Sequence, residues 1–142
     1  MTRTGEYALR AMIFIAQSGE SNAIPGRAIA KETGIPLKYL QKILGDLTRC
    51  ELLTSAPGKS GGFQLRRSAR RITLCDVLAP FERPLAMHCP FGNVACGDRN
   101  PCCAHREWKK VVETEQRFLQ KTTIADVAAG VPKKRAKPKS AR

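Results

Sequence analysis

One stretch in the first third of the chain constrains the fold more than any other, because it specifies two helices joined by a very short turn. Pro25 suits the first turn of a helix, where its missing N–H leaves no hydrogen bond unmade. Gly34 suits the left-handed position just past a helix end, and Pro36 can open the next helix. The sequence therefore predicts helices over 25–33 and 36–49, the arrangement of a helix-turn-helix.

The second of these helices is divided between an apolar face and a polar face. Leucines recur every three or four residues from position 37 to position 47, as on the buried side of a helix. The opposite side carries long hydrogen-bonding and cationic side chains, as expected of a helix that enters the major groove of DNA. An ordinary solvated helix face is the alternative interpretation. The candidate DNA-contacting residues of this helix are Lys38, Gln41, Lys42 and Arg49.

Two short strands, 52–56 and 62–65, are predicted directly after the helix-turn-helix, with the turn-rich run APGKSGG between them. A hairpin in this position is the wing of a winged helix. Its tip can lie along a phosphate backbone or enter a minor groove. The candidate DNA-contacting residues of the wing are Lys59, Ser60, Arg66 and Arg67.

Three further segments show helical spacing of apolar residues, and together they predict a fold that is mainly α with a small β-wing. They are 4–18, a short helix from about Thr73, and 104–121. In the last of these, Trp108, Val111 and Phe118 belong to a narrow seam that favours dimerisation, with packing on its own domain as the alternative.

The predicted organisation has four parts. They are a winged helix-turn-helix DNA-binding domain over 1–83, a cysteine-rich cluster-binding loop over 84–104, a dimerisation helix over 105–124 and a basic disordered tail over 125–142.

The charge balance indicates a polyanionic partner. There are 25 Lys and Arg residues against 12 Asp and Glu residues, a formal net charge of +13. Six of the basic residues lie in 132–142 and every acid precedes them, so the rest of the chain still carries +7. Such a body suits nucleic acid, with a merely soluble basic surface as the alternative. No segment is apolar enough to span a membrane and no secretory signal is evident, which predicts a cytoplasmic protein without a membrane partner.

Four cysteines and a histidine lie close together in the run CPFGNVACGDRNPCCAHREW. In a reducing compartment, such a group favours metal binding or redox chemistry over structural disulfides. The spacing of Cys89, Cys96 and Cys102 lacks the tight Cys-x2-Cys pair of a zinc ribbon. Its wide, nearly even gaps favour a loop around a larger object, such as an iron–sulfur cluster. Zinc and a metal-free thiol switch are the alternatives, in that order.

Three cysteines leave one coordination position to fill. His105 follows Cys102 by three residues and is a candidate, because imidazole replaces thiolate on the iron of some clusters. The alternative for a lone histidine is a surface or capping residue. No Ser/His/Asp set, phosphate loop or paired carboxylates in a defined context are evident, so an enzyme with a small-molecule substrate is not expected.

These features together resemble the IscR/NsrR/RirA group (Rrf-type) of bacterial winged helix-turn-helix iron–sulfur transcription regulators. GEYALRAM resembles the opening helix of that group, IAKETGIPLKYLQKIL its helix-turn-helix and GKSGGFQL its wing. Cys89, Cys96 and Cys102 fall where the group keeps three cluster cysteines. The resemblance runs from about residue 2 to residue 121.

The resemblance implies a homodimer that places two winged helices on one double-stranded DNA operator, crossed through the long C-terminal helix. Cluster state would control DNA binding. Lys38, Gln41 and Lys42 would read bases, and the wing near Lys59 would contact the minor groove.

The resemblance also implies two contenders for the fourth ligand. His105 stands where the IscR branch completes a [2Fe–2S] site. Glu6 stands where the NsrR branch uses a carboxylate from the first helix of the partner. His105 and Glu6 compete for this position, and the additional Cys103 is a third candidate. The choice between His105 and Glu6 is also the choice between [2Fe–2S], which is favoured, and [4Fe–4S].

The leading hypothesis is a DNA-binding transcription regulator, of repressor type, whose operator binding is controlled by a cluster that senses iron–sulfur, redox or nitric oxide status. A cluster-free regulator that uses zinc or cysteine oxidation is the first alternative. An iron–sulfur electron-transfer or carrier protein is the second, and it leaves the helix-turn-helix and wing unexplained.

Overall fold

The structure is a computed structural model of the 142-residue chain and describes residues 1–19, 21–58, 60–82, 89–92 and 96–132. Over these ranges the fold is mainly α with a small antiparallel wing, as predicted. The elements in chain order are α1 (Arg3–Gln17), α2 (Gly26–Thr33), α3 (Leu37–Arg49), β1 (Leu53–Ala56), β2 (Gly62–Leu65), a 3-10 turn (Ala69–Arg71), α4 (Leu74–Leu78), α5 (His105–Lys121) and α6 (Ile124–Gly130).

The core is organised around α1, which packs against α2, α3, α4, β2 and α6. Its Ala8, Met12 and Ile15 side chains are fully buried. The leucine face of α3 meets this core, with Leu40 and Leu44 also fully buried. The predicted division of α3 into a buried and an exposed side is therefore confirmed, and its polar side is left facing outward.

The wing is attached to the start of the helix-turn-helix as well as to its end. Strands β1 and β2 pair antiparallel, with Leu53 opposite Leu65. Ile24, just before α2, forms a bridge to Phe63 through two backbone hydrogen bonds, each 2.9 Å from N to O. The hairpin is thereby held against α2 and α3 as one unit. Lys59, predicted at the wing tip, lies outside the described residues.

The end of α5 is joined to the start of α4 by two backbone hydrogen bonds, 3.0 Å from Leu74 N to Thr122 O and 2.8 Å from Ile124 N to Ile72 O. Both helices that begin at this junction have the same N-terminal device. Thr73 caps α4, and Thr123 caps α6, each in a capping box with an aspartate three residues later. The C-terminal end of α5 is thus fixed to the winged-helix domain.

The prediction of a disordered tail over 125–142 is wrong for residues 125–130, which belong to α6. This helix packs on α1, and its first residue, Ile124, is fully buried. The amide of Gln17 also donates to the carbonyl oxygens of Ala128, at 2.9 Å, and Val131, at 2.7 Å.

Positions 133–142 of the tail, and 84–88 and 93–95 of the predicted cysteine-rich loop, lie outside the described residues. Within the described ranges, no helix is long and apolar enough to cross a membrane.

Replacing Gly62 with alanine is expected to destabilise the fold by about 2 kcal/mol or more, because the wing would lose its contact with the segment before α2. A Cβ atom at Gly62 would lie 2.3 Å from the carbonyl carbon and oxygen of Ile24, which are backbone atoms that cannot turn aside. Urea unfolding of the purified protein measures the change.

Gly45→Ala is the matched control, since a Cβ atom there meets nothing within 4 Å. Gly45 lies inside α3, where alanine is the better helix former by about 0.8–1.0 kcal/mol, so this variant should be as stable as the wild type or more so. Equal stability of the two variants would contradict the proposed packing of the wing.

Candidate metal centre and nucleic-acid interface

Three cysteines converge just before α5. The Sγ atoms of Cys89, Cys96 and Cys102 all lie within 4.8 Å of one another, and all three residues are partly buried. Among the described residues, these form the one set of three or more Cys, His, Asp or Glu side chains close enough to share a metal ion. Cys103, next in sequence to Cys102, is exposed and outside the set. We call Cys89, Cys96 and Cys102 the thiol triad.

His105 contacts one member of the thiol triad, Cys96. It is the first residue of α5, is only 9% exposed, and its Nδ1 atom lies 3.4 Å from the Sγ atom of Cys96. The other ring nitrogen, Nε2, lies 3.0 Å from Oδ1 of Asp98. The imidazole is therefore a buried group held between a thiol and a carboxylate, and the surface alternative for His105 does not describe it.

The thiols of the triad interact with one another and with nearby backbone. The backbone N–H of Cys102 donates to Cys96 Sγ, with 3.3 Å between N and S. The pKa of the Cys102 thiol is lowered, first because it accepts a hydrogen bond from the Cys96 thiol and then because it accepts one from the backbone of Ala104. The backbone hydrogen bond from Cys102 lowers the pKa of Cys96, but burial, the Cys102 thiol and the nearby Cys89 together raise it above its ordinary value. The two neighbouring thiols therefore have pKa values shifted in opposite directions.

The donor set fits a thiolate-bound metal group. A single tetrahedral ion with metal–sulfur bonds of about 2.3 Å separates its sulfurs by about 3.8 Å, so the triad encloses one ion with little movement. A cluster distributes its ligands over more than one iron atom and requires at least one sulfur of the triad to move outward. His105 Nδ1 lies next to this set through its contact with Cys96, and its role as a fourth ligand stays a prediction.

Glu6, the other candidate ligand, lies apart from the triad within one protomer. Its carboxylate is paired with Arg10, one turn later on α1, and both side chains are about half exposed. Its role as a ligand that reaches the triad of a second copy stays a prediction.

The predicted DNA-contacting residues of α3 share one exposed face. Lys38, Gln41 and Lys42 are neighbours one turn apart, and Arg49 follows two turns later. Arg49 is paired with Asp46 on the same helix. Tyr39 hydrogen-bonds to Thr4 and so fixes the beginning of α3 against α1. The polar face of α3 is therefore presented on a rigid helix.

The predicted residues of the wing divide into tip and base. Ser60 is exposed beside a turn closed by a 3.0 Å hydrogen bond from Gly61 N to Gly58 O. The two arginines at the base have carboxylate partners within the protomer. Arg66 lies 3.3 Å from Glu51 and Arg67 lies 3.5 Å from Asp76.

The seam of α5 faces in two directions. Val112 and Leu119 are buried within the protomer, whereas Val111 and Phe118 are 51% and 56% exposed. The exposed pair belongs to an open groove of about 650 Å³, which is also lined by Phe91, Ala104, Glu107, Trp108, Lys110, Thr114 and Glu115. Packing of α5 on its own domain therefore describes the buried side of the helix, and dimerisation through the exposed side stays a prediction.

Two polar residues at the site, Asp98 and Lys109, are not predicted from the sequence. Lys109 donates to both carboxylate oxygens of Asp98, at 2.9 and 3.0 Å. Two features of the sequence could have indicated these residues. Asp98 lies between two cysteines of the triad, and Lys109 follows His105 by one helical turn.

Comparison with known proteins agrees with this geometry. A family model described as Rrf2, iron-dependent transcriptional regulator, matches residues 1–130. The chain is 32% identical over 134 residues to an HTH-type transcriptional regulator of Mycobacterium tuberculosis, covering 92% of this chain and 81% of the relative. It is 28% identical over 128 residues to the HTH-type transcriptional regulator IscR of Cronobacter sakazakii, covering 89% of this chain and 78% of that protein.

A solved structure has the same fold. CymR, the global cysteine regulator of B. subtilis, superposes with a TM-score of 0.78 at 22% identity, covering 93% of this chain and 98% of that chain. The sequence relatives are named transcriptional regulators, and the family model spans most of the chain. This chain therefore belongs to the Rrf2 family of winged helix-turn-helix transcriptional regulators and is not an enzyme.

Proposed function

We propose that this regulator binds a DNA operator as a homodimer and represses or releases transcription according to an iron–sulfur cluster held by Cys89, Cys96, Cys102 and His105. The observation that carries the proposal is the convergence of three thiols just before α5, with the buried imidazole of His105 in contact with one of them, Cys96. Such a cluster, when bound, is a group whose integrity depends on iron supply, oxidants and nitric oxide.

A [2Fe–2S] cluster is favoured over [4Fe–4S], because the nitrogen donor His105 contacts Cys96 of the triad within the same protomer, whereas Glu6 is paired with Arg10. Imidazole is an established ligand of [2Fe–2S] iron. The iron-dependent description of the family supports a centre that contains iron.

A mononuclear centre is the second candidate, and the compactness of the triad favours it. Sulfurs within 4.8 Å of one another are close to the separation that one tetrahedral zinc ion requires. The same closeness also suits reversible oxidation between two thiols of the triad. In either case, metal binding to these residues or oxidation of their thiols would control DNA binding.

Cys96→Ala is expected to abolish cluster binding, because Cys96 contacts both Cys102 and His105. Cys103→Ala is the matched control, since Cys103 is exposed and outside the triad. Anaerobic purification followed by visible absorption and iron and sulfide analysis measures the outcome. We expect iron and sulfide in equal amounts in the wild type and in Cys103→Ala.

Zinc without sulfide in the purified wild type would contradict the iron–sulfur cluster and support the mononuclear centre. A colourless wild-type protein that holds no metal after reconstitution would exclude both.

The exposed face of α5 supports the proposed homodimer. Val111 and Phe118 leave an apolar surface uncovered, and Oε2 of Glu115 in the same groove is buried without a hydrogen-bond partner in the described structure. A second α5 crossing here would cover the apolar side chains and bring donors to Glu115.

Phe118→Lys should convert the dimer to a monomer, with the dissociation constant raised about 100-fold or more, because a charge would replace an apolar contact at the centre of the interface. Sedimentation velocity across a concentration series measures it. Arg117→Ala, an exposed neighbour on the same turn, should leave the dimer intact. A Phe118→Lys variant that remains as dimeric as the wild type would contradict dimerisation through α5.

The polar face of α3 supports reading of bases by Lys38, Gln41 and Lys42, while Arg49, Lys59, Ser60, Arg66 and Arg67 are proposed to contact backbone or the minor groove. The helix face is exposed, rigid and without an ion pair to Lys38 or Lys42 in the described residues. To contact DNA, Arg66 and Arg67 must each leave the carboxylate that it pairs with, or share its guanidinium group between that carboxylate and a phosphate.

Lys42→Met should weaken binding to an operator obtained by in vitro selection with the wild-type protein. The expected loss is about tenfold, within the 1–3 kcal/mol of one base contact. Lys121→Met, at the exposed end of α5, is the control and should bind as the wild type does. Fluorescence anisotropy at several salt concentrations separates base reading from phosphate contact, because only a lost phosphate contact lowers the salt dependence by about one unit. Unchanged affinity in Lys42→Met would contradict major-groove reading by α3.

A further inference from the structure

A tight turn within the thiol triad presents Asp98 to the first turns of α5. Gly97 and Asn100 pair across this turn, with 3.0 Å from Asn100 N to Gly97 O and 3.4 Å from Gly97 N to Asn100 O. Asp98 lies inside the turn, between Cys96 and Cys102 in sequence. Its position is therefore tied to two cysteines of the triad.

The carboxylate of Asp98 bridges two residues of α5. Its Oδ1 atom lies 3.0 Å from His105 Nε2 and 2.9 Å from Lys109 Nζ, and its Oδ2 atom lies 3.0 Å from the same Nζ. His105 and Lys109 are one helical turn apart, so one carboxylate spans both. The ammonium group of Lys109 thus lies against both oxygens of the carboxylate, in the geometry of an ordinary Asp–Lys ion pair.

These contacts determine which ring nitrogen of His105 carries the proton. An ionised carboxylate only accepts hydrogen bonds, so the nitrogen that faces Asp98, Nε2, must donate. In the neutral imidazole the lone pair is then on Nδ1, the atom 3.4 Å from Cys96 Sγ. With His105 only 9% exposed, little water competes for either nitrogen.

We infer that Asp98 is a positioning residue for the metal centre, which holds the proton of His105 on Nε2 and directs the Nδ1 lone pair toward the thiol triad. Lys109 fixes the carboxylate in this orientation. The inference rests on the proposed function in taking His105 as a ligand. An outer carboxylate of this kind orients a ligating histidine and raises its basicity, and its loss typically weakens metal binding about 10–100-fold.

The first test uses the metal-free protein and does not depend on metal binding. In nitrogen-15 NMR spectra at about pH 8, where an ordinary imidazole is neutral, the wild type should show a proton on Nε2 of His105 that exchanges slowly with water. His105→Gln identifies this signal by removing it. Asp98→Ala should remove the slow exchange, and Asp98→Asn, which keeps the shape and an acceptor oxygen, should retain part of it.

A wild-type proton on Nδ1, or a protected Nε2 proton that Asp98→Ala does not affect, would overturn the inference whatever the protein binds.

The second test asks whether Asp98 acts through His105. Zinc affinity is measured by competition with a chelator for the wild type, Asp98→Ala, His105→Ala and the double variant. We expect about a 10–100-fold loss in Asp98→Ala and no further loss when Asp98→Ala is added to His105→Ala. Glu107→Ala is the matched control, because Glu107 is an exposed acid of the same helical turn that pairs with Lys110.

An equal loss from Asp98→Ala in both backgrounds would show that Asp98 only shapes the loop, and no loss in the wild-type background would show that it is not needed. Either result would overturn the inference. A wild type that binds no metal at all would instead refute the proposed function, while the NMR result still decides whether Asp98 holds His105.

Discussion

The contacts of the buried His105 imidazole are the interactions on which the arrangement of the thiol triad depends. His105 is the first residue of α5 and contacts Cys96 on one side and Asp98 on the other, so the cysteine loop and the helix are held together by one ring. A buried ring nitrogen is costly to leave without a partner, and both nitrogens have one here. The thiol triad is therefore fixed at the end of a helix and not on an independent loop.

The same helix reaches the DNA-binding domain at its other end. Helix α5 has 17 residues and extends about 25 Å, from His105 to the backbone bridge between Thr73 and Thr123. Val112 and Leu119 pack it against the protomer, and Val111 and Phe118 on its other side are about half exposed in the described part of the chain. A change in the ligands around His105 would thus act on a rigid element that is shared by the domain and the proposed dimer interface. In the described residues, one continuous helix therefore connects the thiol triad with the winged-helix domain.

Much of this organisation is predictable from local sequence signals. The leucine spacing of α3, the turn at Gly34 and the turn-rich wing specify their elements locally, and the structure places them within about one residue of the prediction. Helix α6 was missed because IADVAAG is short and weakly patterned, although Thr123 and Asp126 form a readable capping box. The contact of Asp98 with His105 is tertiary, since it depends on how a turn folds back on a helix, and no residue spacing specifies that. The division of the α5 seam into buried and exposed sides likewise depends on packing.

The central claim is that occupancy of the centre at His105 changes how the winged helices bind DNA. The most direct measurement is the operator affinity of the wild-type protein in its anaerobically loaded form and after removal of the metal, with Cys96→Ala treated in parallel. A coupling between two sites is typically 5–150-fold, so the two wild-type forms should differ by at least about fivefold, while Cys96→Ala shows one affinity under both treatments. Equal affinity of the loaded and stripped wild type would contradict the claim.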